Sequence, residues 1–246
     1  MPYILSPIVS KSFKGLWGEG CPYESSVIYD IHQQSEKSPP IHYESHTLKP
    51  HSLPHLDAPG HIFENGKTVD SYFREKNFSA FYGKVTVVRL KGNKYQALES
   101  NPALSVWRVS QSELKEAVLR ISSKAPSRIL LTSEEYPEDD NGNHDSTKAL
   151  VLTESAANWL IEANPKFCLY GTSWKSTDFQ PNSKERPIHK IIFNHDAAIF
   201  ECLDLKSVPE GIYYWFAFPL PLEGATESPV CPVLLTESEF QELIEG

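Results

Sequence analysis

The sequence predicts a single α/β domain with a central mixed sheet flanked by helices. Three observations carry this. Over the C-terminal two thirds, short apolar β-branched runs alternate with segments whose apolar residues recur at helical spacing. No Pro/Gly/Ser-rich linker, internal repeat or low-complexity tract divides the chain. Its 246 residues are enough for one substantial core.

The elements follow in order. GKVTVVRL (83–90) is β-branched and opens on glycine, so it reads as a strand. SQSELKEAVLRI (110–121) starts at Ser110 with Glu113 three residues on, a capping box ahead of a helix. SRILLT (127–132) is a short apolar strand. TESAANWLIEA (153–163) follows a capping threonine and stops before Asn164-Pro165, hence a helix. FCLYG (167–171) is a strand. RPIHKIIFNHD (186–196) opens with Pro187, which suits the first turn of a helix. AIFECLDL (198–205), IYYWFAFPL (212–220) and PVCPVLL (229–235) read as strands, and Pro232 puts the last at an edge or bulge. Residues 15–42 and 133–149 fit no element and read as lid or binding loops. The acidic second stretch reads equally as a solvated surface loop.

Composition excludes several classes. A net charge of −9 argues against a broad nucleic-acid footprint. No apolar run approaches the ~20 residues that span a bilayer. The start lacks the order of a secretory signal, so a soluble, cytoplasmic protein without membrane or nucleic-acid partners is expected. Cys21, Cys168, Cys202 and Cys231 form no CxxC pair and are expected to be free buried thiols. There is no GxSxG elbow, no GxxxxGK[ST] and no GxGxxG, and Cys21 has no histidine partner nearby in sequence.

The chemistry concentrates in HSLPHLDAPGH (51–61), which holds His51, His55, Asp57 and His61. Imidazole and carboxylate donors suit Zn²⁺, Mn²⁺ or Fe²⁺. Pro54 and Pro59 argue against a continuous helix. In an extended chain the four odd-numbered positions share a face. This pattern favours a metal site over an incidental polar loop. Two remote candidates join it. His189 lies early in a predicted helix, and Glu201 interrupts the apolar run AAIFECL, where a carboxylate is costly unless paired or coordinated. His32, His42, His46, His144 and His195 sit in polar contexts and read as surface residues.

HSLPHLDAPGH resembles the HxGTHxDxPxH signature of the cyclase family, which includes bacterial kynurenine formamidase and isatin hydrolase. HIFENGKTVDSY resembles the family's continuation, an aromatic, a short glycine turn and a Val-Asp. RPIHKIIFNHDAAIFECLDLKSVPEGIYYWFAFPL resembles its C-terminal block, Pro-x-His, a glutamate, then a Val-Pro-x-Gly turn. The resemblance spans residues 45 to 235 and is weakest over 91–150. It implies a swivelling β/β/α domain that is usually oligomeric, a homodimer or homotetramer. It also implies His51, His55, Asp57, His189 and Glu201 as metal ligands for one or two divalent ions per subunit, Zn²⁺ first and Mn²⁺ second. His61 is implied as the catalytic acid/base and Trp17 as a substrate contact.

The expected activity is hydrolysis of a small amide, formamide, lactam or ester, with arylformamidase as the reference. The alternatives are a lyase or cyclase on the same site, or a metal-binding protein without turnover. Leu53-Pro54 replaces the family's Gly-Thr, leaves every ligand in place and is expected to reshape the pocket beside the metal. Tyr23, Trp107 and Trp174 read first as core residues and second as candidates to line that pocket, with Trp174, after the strand FCLYG, able to reach a site at that strand end.

Overall fold

A computed structural model describes residues 1–32, 40–136, 138, 145, 147–179 and 185–246. Nine strands form one mixed sheet, in the order Tyr3–Ile4, Val233–Leu235, Gly211–Phe216, Tyr82–Leu90, Arg128–Ser133, Leu169–Thr172, Ala198–Glu201, His55–Asp57, Glu227–Pro229. The four from Tyr82–Leu90 to Ala198–Glu201 run parallel, and antiparallel strands extend the sheet on both sides. The helices between the parallel strands supply the crossovers that parallel pairing requires.

Period-two alternation along these strands builds a core on each face of the sheet. Val85, Val87, Leu130 and Phe200 face one core with Tyr72 and Trp215. Val88, Leu90, Ile129, Leu131 and Ile199 face the other, against the helices Gln111–Leu119, Glu154–Ala163 and Pro187–Asn194. The capping box is formed: Ser110 Oγ accepts from Glu113 N, and Ser110 N donates to Glu113 Oε2. Thr153 caps the next helix by accepting from Ala156 N.

The structure corrects several sequence boundaries. AIFECLDL is a strand only through Glu201, because Cys202 takes a left-handed φ of 59° and turns the chain away. IYYWFAFPL ends as a strand at Phe216. PVCPVLL is two elements, Glu227–Pro229 at one edge of the sheet and Val233–Leu235 toward the other. Pro232 breaks them, since it has no N–H to give a ladder.

Two smaller sheets were not legible in the pattern. Tyr23–Tyr29 pairs with Tyr43–Leu48 inside and beyond the first unassigned stretch, whose residues 33–39 lie outside the described residues. Gln96–Leu98, Asn101–Val109 and Lys148–Leu152 form a three-stranded sheet. The last of these strands begins within the second unassigned stretch, where residues 137, 139–144 and 146, His144 among them, lie outside the described set. Trp107 and Leu150 of this sheet join the helix-side core, so the chain layers a large sheet, helices and a small sheet in one domain. Among the described residues no helix is long and apolar enough to cross a membrane.

Candidate functional site

The site forms where the parallel strands end and the antiparallel edge begins. Residues 51–61 are not uniformly extended. They fold as a 3₁₀ turn (Pro50–Ser52), a strand (His55–Asp57) and a second 3₁₀ turn (Pro59–His61). The one-face argument therefore holds only for His55 and Asp57, and the two turns bring His51 and His61 in beside them. Each turn opens on a proline, whose fixed φ suits it. The second turn depends on Gly66, where an added Cβ would lie 2.5 Å from Gly60 N. In the ladder Glu201 faces His55. The C-terminal end of a parallel strand thus delivers its carboxylate to the cluster, as expected of open α/β sheets.

Five of the sequence-predicted residues converge. His55 Nε2 lies 3.4 Å from Asp57 Oδ1 and 3.8 Å from Glu201 Oε2. His189 Nε2 lies 3.7 Å from Asp57 Oδ2 and 3.5 Å from Glu201 Oε1. His51 Nδ1 lies 3.1 Å from His55 Nε2 and 3.9 Å from Asp57 Oδ1. His61 sits tilted at the open side, its ring centroid 4.8 Å from that of His51 and 5.9 Å from that of His189. His55 and Asp57 are 0% exposed. Both Asp57 oxygens are buried without a hydrogen-bond partner among the described residues. A buried, unpartnered carboxylate ringed by imidazole nitrogens fits a divalent cation, which would satisfy it.

Ring tautomers are fixed from outside the cluster. Nδ1–H of His55 donates to Leu53 O at 2.7 Å, and Nδ1–H of His189 donates to Asp178 Oδ2 at 2.7 Å. Both Nε2 atoms then point inward, the arrangement that metal-binding histidines use. Asp178 also accepts from Ile188 N and His189 N, each at 3.0 Å, so it caps the helix carrying His189. Thr177 N donates a short hydrogen bond to Glu201 Oε1.

Electrostatics divides the cluster. Burial opposes a charge on His55, but the Asp57 carboxylate outweighs it and holds His55 well above the usual histidine range. Burial likewise opposes a charge on His189, but Asp178 and Asp57 lift it to about 9. Burial would raise Asp57, but the positive charge of His55 and the proximity of His189 hold it well below. Burial, and then the Asp57 charge, push Glu201 up to about 7. Burial lowers His61 and His51. Asp57 is thus the ionised carboxylate, while Glu201 titrates near neutrality.

A cavity of about 340 Å³ opens onto the cluster, with His51, His61, His189, Glu201, Trp17 and Arg186 in its wall. Trp17 is half exposed, with Nε1 donating to His51 O at 3.0 Å and Lys175 Nζ 4.3 Å from its ring centroid. Leu53 and Pro54 are not in this wall. Both are buried, and Pro54 borders a separate cavity of about 40 Å³. Their substitution does not shape the pocket beside the cluster. The backbone carbonyl at position 53, which any residue there would supply, sets His55. Trp107 and Trp174 are core residues, in line with their first reading, and Tyr23 bonds His46; none of the three lines the pocket. All four cysteines are free, but none is fully buried and Cys231 is exposed.

The Cyclase family model matches residues 10–178 of the 246. The chain belongs to the cyclase family. Among its curated relatives, the kynurenine formamidase of Erythrobacter litoralis is 26% identical over 204 residues, covering 82% of this chain and 80% of the relative. That of Bacillus cereus is 25% identical over 213 residues, covering 87% and 89%. Among solved structures, isatin hydrolase A from Ralstonia solanacearum superposes with a TM-score of 0.66 at 20% identity, covering 96% and 92%. A predicted metal-dependent hydrolase from Bacillus stearothermophilus gives 0.62 at 18% identity, covering 95% and 97%. These structures share the fold.

Three participants in this cyclase-family site were missed in sequence. Asp178 and Thr177 lie in a polar loop after Leu169–Thr172, and Glu227 lies on the edge strand. Sequence reasoning placed Trp174 near a site at that strand end. The loop does reach the site, but through residues 176–178. A carboxylate shortly before Pro-x-His was the only available signal.

Proposed function

We propose that this chain is a metal-dependent hydrolase of a small amide, with an N-formyl aromatic amide as the reference substrate. One observation carries the reading: the two buried Asp57 oxygens lack hydrogen-bond partners among the described residues and are surrounded by histidine nitrogens at 3.4–3.9 Å. His51, His55, Asp57, His189 and Glu201 would hold one or two divalent ions, with Zn²⁺ favoured by the borderline donor set and Mn²⁺ second. A bound ion supplies Lewis acidity, polarising a substrate carbonyl and acidifying water.

The protein's own groups do the rest. Trp17 and the cavity wall confine the substrate with its carbonyl toward Asp57. His61, on the solvent side of the cluster, moves the proton. It takes it from the attacking water and returns it to the leaving amine nitrogen. Burial keeps His61 below the usual histidine value, so it is neutral and able to accept at neutral pH. Leu53 O and Asp178 keep the His55 and His189 rings from turning, so the centre is preorganised. His61 in the cavity wall supports an enzyme over a binding protein, and the Leu53-Pro54 replacement lies outside that wall.

The test pairs two variants. His61→Ala should retain metal by elemental analysis and lose ~10²–10⁴-fold in turnover of an N-formyl aromatic amide. Asp57→Ala should lose both metal and turnover. Full metal content in Asp57→Ala would falsify the site. We also propose a homodimer or homotetramer, supported by the exposed Val27, Ile28, Tyr29, Ile41 and Tyr43 on and beside the Tyr23–Tyr29/Tyr43–Leu48 sheet. Light scattering that returned a monomer would exclude it.

A further inference from the structure

We propose that Glu227 is a positioning residue for the metal centre, holding His51 from its solvent side. The inference rests on the metal reading above and adds a residue that the histidine-rich motif does not contain. Each ligand histidine presents one ring nitrogen to the centre and the other to an acceptor outside it. For His55 the acceptor is Leu53 O, and for His189 it is Asp178. His51 presents Nδ1 to His55 and Asp57, and its Nε2 faces Glu227 Oε2 at 3.9 Å. That is an ion-pair separation and longer than a hydrogen bond. Glu227 thereby completes a set of three histidines, each with an outer acceptor.

The fold places Glu227 there deliberately. Its strand is the sheet edge, and in the ladder Glu227 stands directly opposite Asp57. Carboxylates in that relation repel. His51 lies between them, its Nδ1 3.9 Å from Asp57 Oδ1 and its Nε2 3.9 Å from Glu227 Oε2, so the ring separates the two charges and can turn an N–H toward Glu227. Thr226 Oγ1 donates to Glu227 Oε2 at 2.5 Å, which restricts the carboxylate. Ligand atoms of His51, His61 and Glu227 all lie within 4.8 Å of one another, so the carboxylate also borders the proton-carrying histidine. His51 is the most exposed of the ligands, its side chain 35% accessible against 0% for His55 and 1% for His189. It is therefore the ligand with the least packing to fix its ring and the most to gain from an outer partner.

The experiment measures Zn²⁺ alone, by competition with a chromophoric chelator, on the full chain. Glu227→Ala should weaken Zn²⁺ about 10–100-fold, with the melting temperature of the metal-free protein unchanged. Glu227→Gln, which keeps an acceptor oxygen, should fall between Ala and wild type. In the Co²⁺-loaded protein the exchangeable His51 Nε2–H resonance should be visible in wild type and lost to solvent exchange in Glu227→Ala. Zn²⁺ affinity within about twofold of wild type in both variants, with that resonance retained, overturns the proposal. If wild type itself fails to bind Zn²⁺ more tightly than Asp57→Asn, the metal reading fails, and this inference falls with it.

Discussion

Asp178→Ala should be among the most damaging single changes in this protein, for stability and for metal binding together. The carboxylate is 4% exposed and accepts three hydrogen bonds, from Ile188 N at 3.0 Å, His189 N at 3.0 Å and His189 Nδ1 at 2.7 Å. Alanine leaves all three donors without an acceptor at the start of the helix Pro187–Asn194. At about 1 kcal/mol for each net bond, the loss is about 3 kcal/mol, a large share of the ~5–15 kcal/mol typical of a domain. For a chain of this size that corresponds to a fall of about 6–12 °C in melting temperature. His189 also loses the acceptor that turns Nε2 inward, so Zn²⁺ affinity should drop ~10–100-fold. Burial would raise the Asp178 carboxyl, but its bonds from His189 and the helix N–H groups hold it below the usual aspartate value. Its contribution is therefore present above the unfolded value of 3.8 and lost as pH falls through the lower, folded one. Differential scanning calorimetry of the chelated protein at pH 7, with a chelator competition for metal, reads both effects. Melting within about 2 °C of wild type, at unchanged Zn²⁺ affinity, would mean that Asp178 neither caps the helix nor orients His189.

Two further outcomes follow from the same geometry. Metal binding should release protons: His55 is held well above its ordinary value and His189 at about 9, so at pH 7 each gives up one, and Glu201, at about 7, adds about half, for about 2.5 in all. Calorimetric Zn²⁺ titration in two buffers of different ionisation enthalpy counts them, and a count below about one would refute the protonated histidine pair. The sign for stability is definite. Both values are raised on folding, so the metal-free protein keeps this stabilisation below pH 6.5 and loses it as pH climbs through about 9. Gly66→Ala tests the turn that carries His61, because its Cβ would sit 2.5 Å from Gly60 N and Pro59 C. Turnover should fall while Zn²⁺ binding persists, since all five proposed ligands lie outside that turn. Wild-type kcat would show that the turn yields without moving His61.

Much of this was legible in sequence, for local reasons. Ser110 with Glu113, Thr153 and Pro187 announce helix starts because a cap satisfies the backbone within a few residues. The site residues of 51–61 are close in sequence, and Glu201 stood out as a charge inside an apolar run. What escaped depends on partners far along the chain. Asn101–Val109 pairs in parallel with Lys148–Leu152 across a helix, a strand and a polar segment, so neither shows a hairpin signal. Asp178 looks like any loop aspartate until the fold sets it under the helix of His189, and Glu227 until an edge strand sets it against Asp57. The swing of Val233–Leu235 away from Glu227–Pro229 is likewise a tertiary choice, although Pro232 marks where it happens.

The charge balance shows how one structure would serve with and without the proposed ion. Asp57 and Glu201 are buried on neighbouring strands, and two uncompensated carboxylates there would be prohibitive. In the metal-free protein the compensation comes from protons on His55 and His189, with Glu201 itself titrating near 7. A divalent cation that displaces two of those protons brings the same charge to the same place. The exchange therefore leaves the electrostatics of the core nearly unchanged, and the nitrogens that lose protons become the donors the ion requires. On this account the cluster needs no large rearrangement to load. The outer hydrogen bonds from His55 to Leu53 and from His189 to Asp178 stay intact through the exchange, because they use the other nitrogen of each ring.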